Sequence, residues 1–467
     1  MENEKVVVAI ELGSSKISGA AASKGPDGRL EVLAYATLPS SSFIRNGAVY
    51  NLDRTAESLA QLIELLERQL GAKINKVFTG YAGKSMRTVP VTIERDLEEG
   101  EVITSDMVDG MLVECGEVPS DNMLSLCVAS QEFMTDHKSV PEQDPIGVAC
   151  THVLGRFQRI MIRPRLFKLM DDSFSRASLE IADSFVAPLA LAGMVLTEDE
   201  KQRGCVLIDY GSDNTTVLVY KSGQLCYLRV IPLGSDTITK DIMSQFQLTH
   251  EEADSLKCSY GLYGLTGSKE EIAIVDAKEI PLKLLGEIIE ARNEEIMTNV
   301  VRQIRASGYY DSLFGGIVVT GGGSNLRKLR TAMAPLFSGI GSIRICNHLD
   351  SIIRWKDPEW DVSNGTNLSL IALLENGNEN CCEVAIIDDP FENLAPANVN
   401  NFEQASLFNE NGEDAQPERD RKRREKEEER RRQRAEKERM KEDKKTKTSS
   451  FINGIRNSFH KFFDDVQ

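Results

Sequence analysis

Short apolar stretches that lead directly into small polar residues mark the strand-and-turn units of this chain. Val6 to Ile10 is a β-branched run, and the residues ELGSSKISGAAA after it predict a turn and a second strand. Cys205 to Ile208 leads in the same way through a polar turn to a strand at Thr216 to Tyr220. Because the two hairpins lie about 200 residues apart, the pattern predicts an internal duplication.

A third unit has one strand before its turn. Ile317 to Val319 form an apolar run that leads into Gly321, Gly322 and Gly323 and then into a helical pattern. A single glycine-rich turn is weak support for a binding site, whereas three such turns after apolar strands give stronger support.

Between the first two units the pattern changes from helical to strand-like. Residues 55–70 predict an amphipathic helix that ends at Gly71. From Val77 to Met161 the sequence predicts short strands and one helix, with the charged turn ERDLEEGE and the loop SVPEQDPIG among them. We interpret this stretch as an inserted subdomain, followed by a helix near 166–180.

The C-terminal segment FINGIRNSFHKFFDDVQ is apolar on one side of a helix. It follows a charged run that predicts a solvated linker or a single charged helix. The spacing predicts an amphipathic helix in a membrane interface, with Lys444, Lys445 and Lys447 near anionic headgroups. A helix that docks back on the body is the alternative. The apolar face consists of Phe451, Ile452, Ile455, Phe459, Phe462, Phe463 and Val466.

Charge is distributed unevenly over the 467 residues. Residues 418–447 carry 16 Lys and Arg against 10 Asp and Glu, and residues 448–467 carry two of each sign. The formal charge of the whole chain is −17, so residues 1–417 carry −23. A body this acidic repels a phosphate backbone, which argues against nucleic acid as a partner.

The nine cysteines show no metal-ligand spacing, and a reduced cytoplasm suits them best. No apolar run approaches the roughly 18 residues of a membrane span, so membrane contact is expected to be peripheral. No nucleophile with a neighbouring base can be identified, and we assign no catalytic residue.

The three turns carry groups that a nucleoside triphosphate requires. Its phosphates need backbone N–H groups and small residues, and its hydrated Mg2+ needs a carboxylate. The candidate residues are Glu11, Gly13, Ser14, Ser15, Lys16, Asp209, Gly211, Ser212, Asp213, Asn214, Thr215, Gly321, Gly322, Gly323 and Ser324.

The order and content of these turns resemble the two phosphate motifs and the adenosine motif of the actin, Hsp70 and sugar-kinase superfamily. Longer strings are similar to the FtsA family of bacterial cell-division proteins, over roughly residues 5 to 375. These strings are FVAPLALAGMVLTEDEKQRG, IPLGSDTITKDI, EEADSLKCSYG and VPEQDPIGVACTHVLG.

The resemblance implies an α/β, actin-like ATPase fold with two duplicated, ribonuclease-H-like lobes, each on a five-stranded sheet, and an α+β subdomain inserted in the first lobe. The expected divisions are 1–82 and 163–200 for the first lobe, 83–162 for the insertion, 201–345 for the second lobe with a base subdomain at about 240–300, 346–390 for a return to the first lobe, 391–448 for the linker and 449–467 for the membrane helix.

By the same resemblance, ATP would bind between the lobes. Glu11 and Asp209 would orient Mg2+ through water, and Asp254 and Lys257 would face the ribose and adenine. The turn DYGSDN lacks two of the family's usual glycines, and Asp213 adds a negative charge that is expected to weaken binding or alter its Mg2+ dependence. The expected activity is therefore nucleotide binding with at most weak ATPase activity.

The resemblance also implies partners. They are the C-terminal peptide of the tubulin-like protein FtsZ, contacted by Arg292 and Glu295, further copies of this chain in an actin-like filament, an anionic membrane surface and later division proteins. The expected place is the cytoplasmic face of the membrane at the division site, where the protein would tether FtsZ filaments during septum formation. A small-molecule kinase or an Hsp70-like chaperone of the same fold remains the alternative, although neither explains the Phe-rich tail.

Overall fold

The computed structural model describes residues 5–25, 27–120, 122–136, 143–261, 271–275, 278–348, 353–357, 360 and 364–382. They belong to one compact unit, Met1–Ala385. The predicted linker and amphipathic tail lie outside the described residues.

The N-terminal part begins as an antiparallel meander of three strands, and a helix then leads to a strand parallel to the first. The side chain of Asn51 accepts a hydrogen bond from the Arg54 N–H, so the helix begins before the apolar pattern at residue 55. It ends at Gly71, as predicted, with φ 69°. The elements are β1 (Val6–Leu12), β2 (Lys16–Lys24), β3 (Leu30–Pro39), β4 (Ile44–Arg45), β5 (Ala48–Val49), α1 (Leu52–Leu70) and β6 (Lys76–Tyr81).

The stretch that follows is a small α+β unit with its own core. Its strands pair in the order β7-β9-β8, and one helix packs Met111 near Phe133 and Phe157. The next elements return to the first sheet through a strand parallel to β6. The elements are β7 (Arg87–Asp96), α2 (Ser105–Glu117), β8 (Leu124–Thr135), β9 (His152–Ile162), α3 (Pro164–Arg176), β10 (Glu180–Val186), α4 (Ala187–Val195) and α5 (Glu198–Arg203).

The second half repeats the opening meander and then adds helices. Two short 3-10 turns, Tyr310–Ser312 and Gly322–Asn325, flank the strand that carries the third glycine turn. The elements are β11 (Cys205–Tyr210), β12 (Thr215–Lys221), β13 (Gln224–Ile231), α6 (Asp236–Phe246), α7 (His250–Tyr260), β14 (Ile272–Val275), β15 (Lys278–Pro281), α8 (Leu282–Ala306), β16 (Gly316–Thr320), α9 (Leu329–Met333), β17 (Ile343–Ile345), β18 (Ile353–Trp355) and α10 (Leu368–Asn376).

The predicted duplication is visible in the strand order. One sheet contains β10-β6-β1-β2-β3 and the other contains β17-β16-β11-β12-β13. In both, the first three strands are parallel and the last three form an antiparallel meander. The two lobes therefore share one arrangement of five strands.

Each sheet is larger than the five strands expected. In the first lobe β18 pairs with β3, and in the second β13 pairs with β7, so that the inserted strands continue that sheet to eight. The join is short: Arg229 lies opposite Arg87, and the Leu228 N–H donates to the Thr88 hydroxyl at 3.0 Å. An edge strand has unpaired backbone groups, and the insertion satisfies some of those of β13.

The nine cysteines are all free thiols. Among the described residues, no helix combines the length and apolar character needed to cross a membrane.

Candidate functional site

Glu11 and Asp209 occupy equivalent places in the two lobes. Each is the next-to-last residue of the first strand of its meander, directly before a polar turn. β11 and β16 run parallel with Asp209 opposite Thr320, so the third turn begins beside the second. The duplicated strand order thus places one carboxylate beside each phosphate-type turn.

The third turn packs so closely on the second that two of its positions require glycine. A Cβ on Gly321 would lie 2.6 Å from Asp209 Oδ1, and one on Gly323 would lie 2.5 Å from the Tyr210 ring. Gly321 also has φ 84°, which side chains other than glycine adopt rarely. These glycines allow the two turns to form one surface.

The first turn is linked to the second through the β4–β5 hairpin. The Asn46 N–H donates to Asp213 Oδ2 at 2.8 Å, and the Gly47 N–H donates to Ser14 Oγ at 2.9 Å. Sequence reasoning missed this hairpin, although Asn-Gly is a typical two-residue hairpin turn. All three turns therefore lie close together where the two lobes meet, a place we call the cleft.

The two carboxylates resist ionisation. Burial raises the pKa of Asp209 to about 6. Burial also raises the pKa of Glu11, to about 7. The positive charge of Lys16 opposes this rise, the negative charge of Asp209 adds to it, and a hydrogen bond to Ser369 opposes it. Two partly buried acids that repel each other favour a bound cation, which would offset both effects.

Lys16 reaches the returning segment of the first lobe. Its Nζ donates to Asn367 Oδ1 at 2.8 Å, and the Tyr35 hydroxyl donates to the same oxygen at 3.0 Å. Burial lowers the pKa of Lys16, while the charge of Glu11 raises it. Asn367 lies 351 positions from Lys16, so no local pattern could have identified it.

Asp254 and Lys257 lie together on α7, and Thr239 of α6 joins them. Lys257 Nζ donates to Asp254 Oδ1 at 2.6 Å and to the Thr239 hydroxyl at 2.7 Å. α6 follows the second turn closely, since the Asp236 N–H donates to the Ser212 carbonyl at 2.9 Å. This pair is thus connected to the cleft through α6.

Two buried polar atoms at the cleft have no hydrogen-bond partner within the described part of the chain. They are Asn214 Oδ1 in the second turn and Thr320 Oγ1 at the end of β16. Buried polar atoms are normally paired, so a polar ligand suits this place. The described residues hold no group of three or more His, Cys, Asp or Glu that could bind a metal directly. Two carboxylates at the cleft fit a hydrated Mg2+ that the nucleotide would help to hold.

Arg292 and Glu295, the predicted peptide contacts, lie on α8 outside this cleft group. Arg292 donates to both carboxylate oxygens of Asp241 on α6, at 2.6 and 2.9 Å, and to Glu295 Oε2 at 2.5 Å. The sequence did not point to Asp241. The two predicted residues are therefore already in contact, within a three-membered charge cluster.

The sequence of this chain is similar to one family of cell-division proteins. A family model described as "Cell division protein FtsA" matches residues 206–364, which include the second and third turns. The protein of that name from Pseudomonas aeruginosa is 27% identical over 336 residues, covering 70% of this chain and 79% of its own. The chain is similar to FtsA over about 70% of its length.

Further matches agree with this relationship. The FtsA of Bacillus subtilis is 28% identical over 333 residues, covering 69% of this chain and 74% of its own. A solved structure, "PilM-PilN type IV pilus biogenesis complex", superposes with a TM-score of 0.56 at 15% identity, covering 79% of this chain and 97% of that one. The predicted actin-like fold and the FtsA resemblance are both confirmed.

Proposed function

We propose that this protein is an ATP-binding cell-division protein that tethers FtsZ filaments to the membrane. The observation that carries the proposal is the convergence of the three turns on the Glu11 and Asp209 carboxylates. Backbone N–H groups of the turns would hold the phosphates, and the two carboxylates would orient hydrated Mg2+. Lys16 would supply positive charge from the first lobe. Mg2+ would neutralise phosphate charge when bound.

The site is better suited to binding than to rapid hydrolysis. Lys16 and Lys257 are already held by polar partners, and we assign no general base. Catalysis of phosphoryl transfer depends chiefly on positioning and charge stabilisation. We therefore propose at most weak ATPase activity, with self-assembly into an actin-like filament as the purpose of nucleotide binding.

The FtsZ C-terminal peptide would bind at α8. Arg292 is about one-third exposed and offers its guanidinium next to the Glu295 carboxylate, so both signs of charge are available to a peptide. Asp241 holds the guanidinium in place through two hydrogen bonds. A peptide contact would therefore meet an oriented side chain, which lowers the entropy cost of binding.

The amphipathic tail would attach the assembly to an anionic membrane on its cytoplasmic side. Six or seven apolar side chains at about 1 kcal/mol each for partial burial give a gross ~6 kcal/mol, before the cost of ordering the helix. One tail alone would bind weakly. A filament would present many tails at high effective concentration, and would place later division proteins at the same site.

The nucleotide assignment is tested with Asp209→Asn, which preserves the side-chain shape and removes the charge. Calorimetry should show Mg-ATP affinity lowered at least tenfold, because the variant loses one of two carboxylates for the hydrated ion. Asp199→Asn, at the exposed Asp199–Arg203 pair, is the control and should bind as wild type does. Equal affinity of Asp209→Asn and wild type, with the fold intact by circular dichroism, would remove the cleft assignment.

A further inference from the structure

The β4–β5 hairpin has a tip of two residues with left-handed backbone. Asn46 has φ 51° and Gly47 has φ 65°, as in the two-residue turns that match the twist of a hairpin. Neither N–H takes part in the pairing of β4 with β5, which joins Ile44 to Val49 and Arg45 to Ala48. Both N–H groups are therefore available to other parts of the molecule.

The two N–H groups find acceptors in different lobes. Gly47 donates to Ser14 of the first lobe, to which the hairpin itself belongs. Asn46 donates to Asp213, 167 positions away in the second lobe. The Asp213 side chain thus makes a direct hydrogen bond across the cleft, at the level of the phosphate-type turns.

The surroundings of this bond are tightly packed and contain cations. A Cβ on Gly47 would lie 2.8 Å from the Gly83 Cα and 3.2 Å from Asn214 Nδ2, so the tip is close to both lobes. The pKa of Lys240 is raised, first by its hydrogen bond to Asp236, with attraction to Asp213 contributing. The negative charge of Asp213 is accordingly shared with an N–H group and a nearby ammonium group.

We propose that Asp213 is a positioning residue that holds the Asn46–Gly47 tip against the second turn and so fastens the two lobes together. From the sequence, Asp213 was expected to act through its negative charge beside the phosphates. That expectation did not include the hydrogen bond from Asn46. A side-chain acceptor oxygen is needed at this position to reach Asn46, and glycine would have none. The hairpin tip is then held from two sides, by Asp213 from the second lobe and by Ser14 from the first.

Hydrogen exchange of single amides tests the proposal, in the full chain with EDTA and no added nucleotide. Asp213→Ala removes the acceptor, and the exchange of the Asn46 amide should accelerate about tenfold or more, since a hydrogen bond to a charged group is lost. The Gly47 amide should accelerate as well, because the tip is released as a unit. Asp213→Asn retains an acceptor oxygen and should restore most of the protection.

Two comparisons make the result decisive. Ser212→Ala changes the neighbouring residue, whose backbone carbonyl makes the bond to Asp236, and should leave the tip amides within twofold of wild type. Amides of β11 and β12 report on global stability and should stay unchanged in Asp213→Ala. If only the Asn46 amide accelerates, or if neither does, Asp213 does not hold the tip and the proposal is wrong. A uniform acceleration that includes the core strands would also overturn it. No nucleotide is needed, so this failure would leave the proposed ATP binding intact.

Discussion

At the scale of single residues, Glu11 and Asp209 are held where burial works against their charge. The pKa of each is raised, to about 7 and about 6. A carboxyl group whose pKa is higher in the folded than in the unfolded chain binds protons more tightly when folded. Its contribution to stability is therefore greatest at low pH and declines as the pH rises from about 4 to about 7.

The residue-scale prediction concerns Glu11→Gln. In EDTA and without nucleotide, its melting temperature should exceed that of wild type by about 2 to 4 °C at pH 8, because an ionised, partly buried group is replaced by a neutral one. The difference should shrink towards pH 5, where Glu11 is protonated in the folded protein. Repulsion among the other acidic residues is common to both proteins and cancels. Scanning calorimetry measures both melting temperatures across this pH range, with Glu57→Gln at an exposed position as the control. A difference in melting temperature that did not depend on pH would contradict the prediction.

At the scale of elements, Arg292 joins α8 to α6. The guanidinium donates two hydrogen bonds to the Asp241 carboxylate and a third to Glu295. Bidentate pairs fix both the position and the plane of the arginine. A peptide that binds on α8 would therefore contact a rigid two-helix surface.

The element-scale prediction uses charge reversal. Arg292→Glu should weaken binding of the FtsZ C-terminal peptide more than tenfold, as measured by fluorescence anisotropy, because repulsion replaces an attraction. The double variant Arg292→Glu with Asp241→Arg restores a salt bridge between α6 and α8 and leaves position 292 acidic. If the peptide contacts Arg292 directly, the double variant stays weak. Recovery of binding would mean that Arg292 acts only by joining the helices, and unchanged affinity in the single variant would place the peptide elsewhere.

At the scale of the whole molecule, an acidic body is combined with a charged segment of opposite net sign and an apolar tail. Residues 1–417 carry −23, whereas residues 418–447 carry an excess of six positive charges. The body alone would be repelled by anionic lipid, so the proposed membrane attachment would depend on the C-terminal residues. The proposed membrane binding is therefore expected to be separable from nucleotide binding in the cleft.

The prediction at this scale is that Phe459→Glu with Phe462→Glu abolishes sedimentation with anionic liposomes. The change removes two aromatic groups from the apolar face and adds two charges that resist leaving water. Asn453→Glu with Asn457→Glu adds the same charge on the polar face and should retain most binding. Mg-ATP affinity should be unchanged in both. If the Phe variant still sedimented with liposomes, the docked helix would become the better interpretation.

The sequence by itself determined the parts whose signals are short-range. The strand and turn at Val6, the repeat at Cys205, the glycine turn at Gly321 and the helix that ends at Gly71 all follow from periodicity and turn residues within a few positions. The two carboxylates could be selected as well, because each directly follows an apolar run. The structure has these elements at nearly the predicted bounds.

Only the tertiary structure decided how these parts meet. The bond from Asn46 to Asp213 spans 167 positions and that from Lys16 to Asn367 spans 351, and the pairing of β13 with β7 extends a sheet beyond its expected five strands. Local periodicity specifies which face of an element is apolar, and it contains no information on which distant element covers that face. Such contacts depend on chain-wide packing and strand order, which is why Asp241, Asn367 and the hairpin tip emerged from the fold.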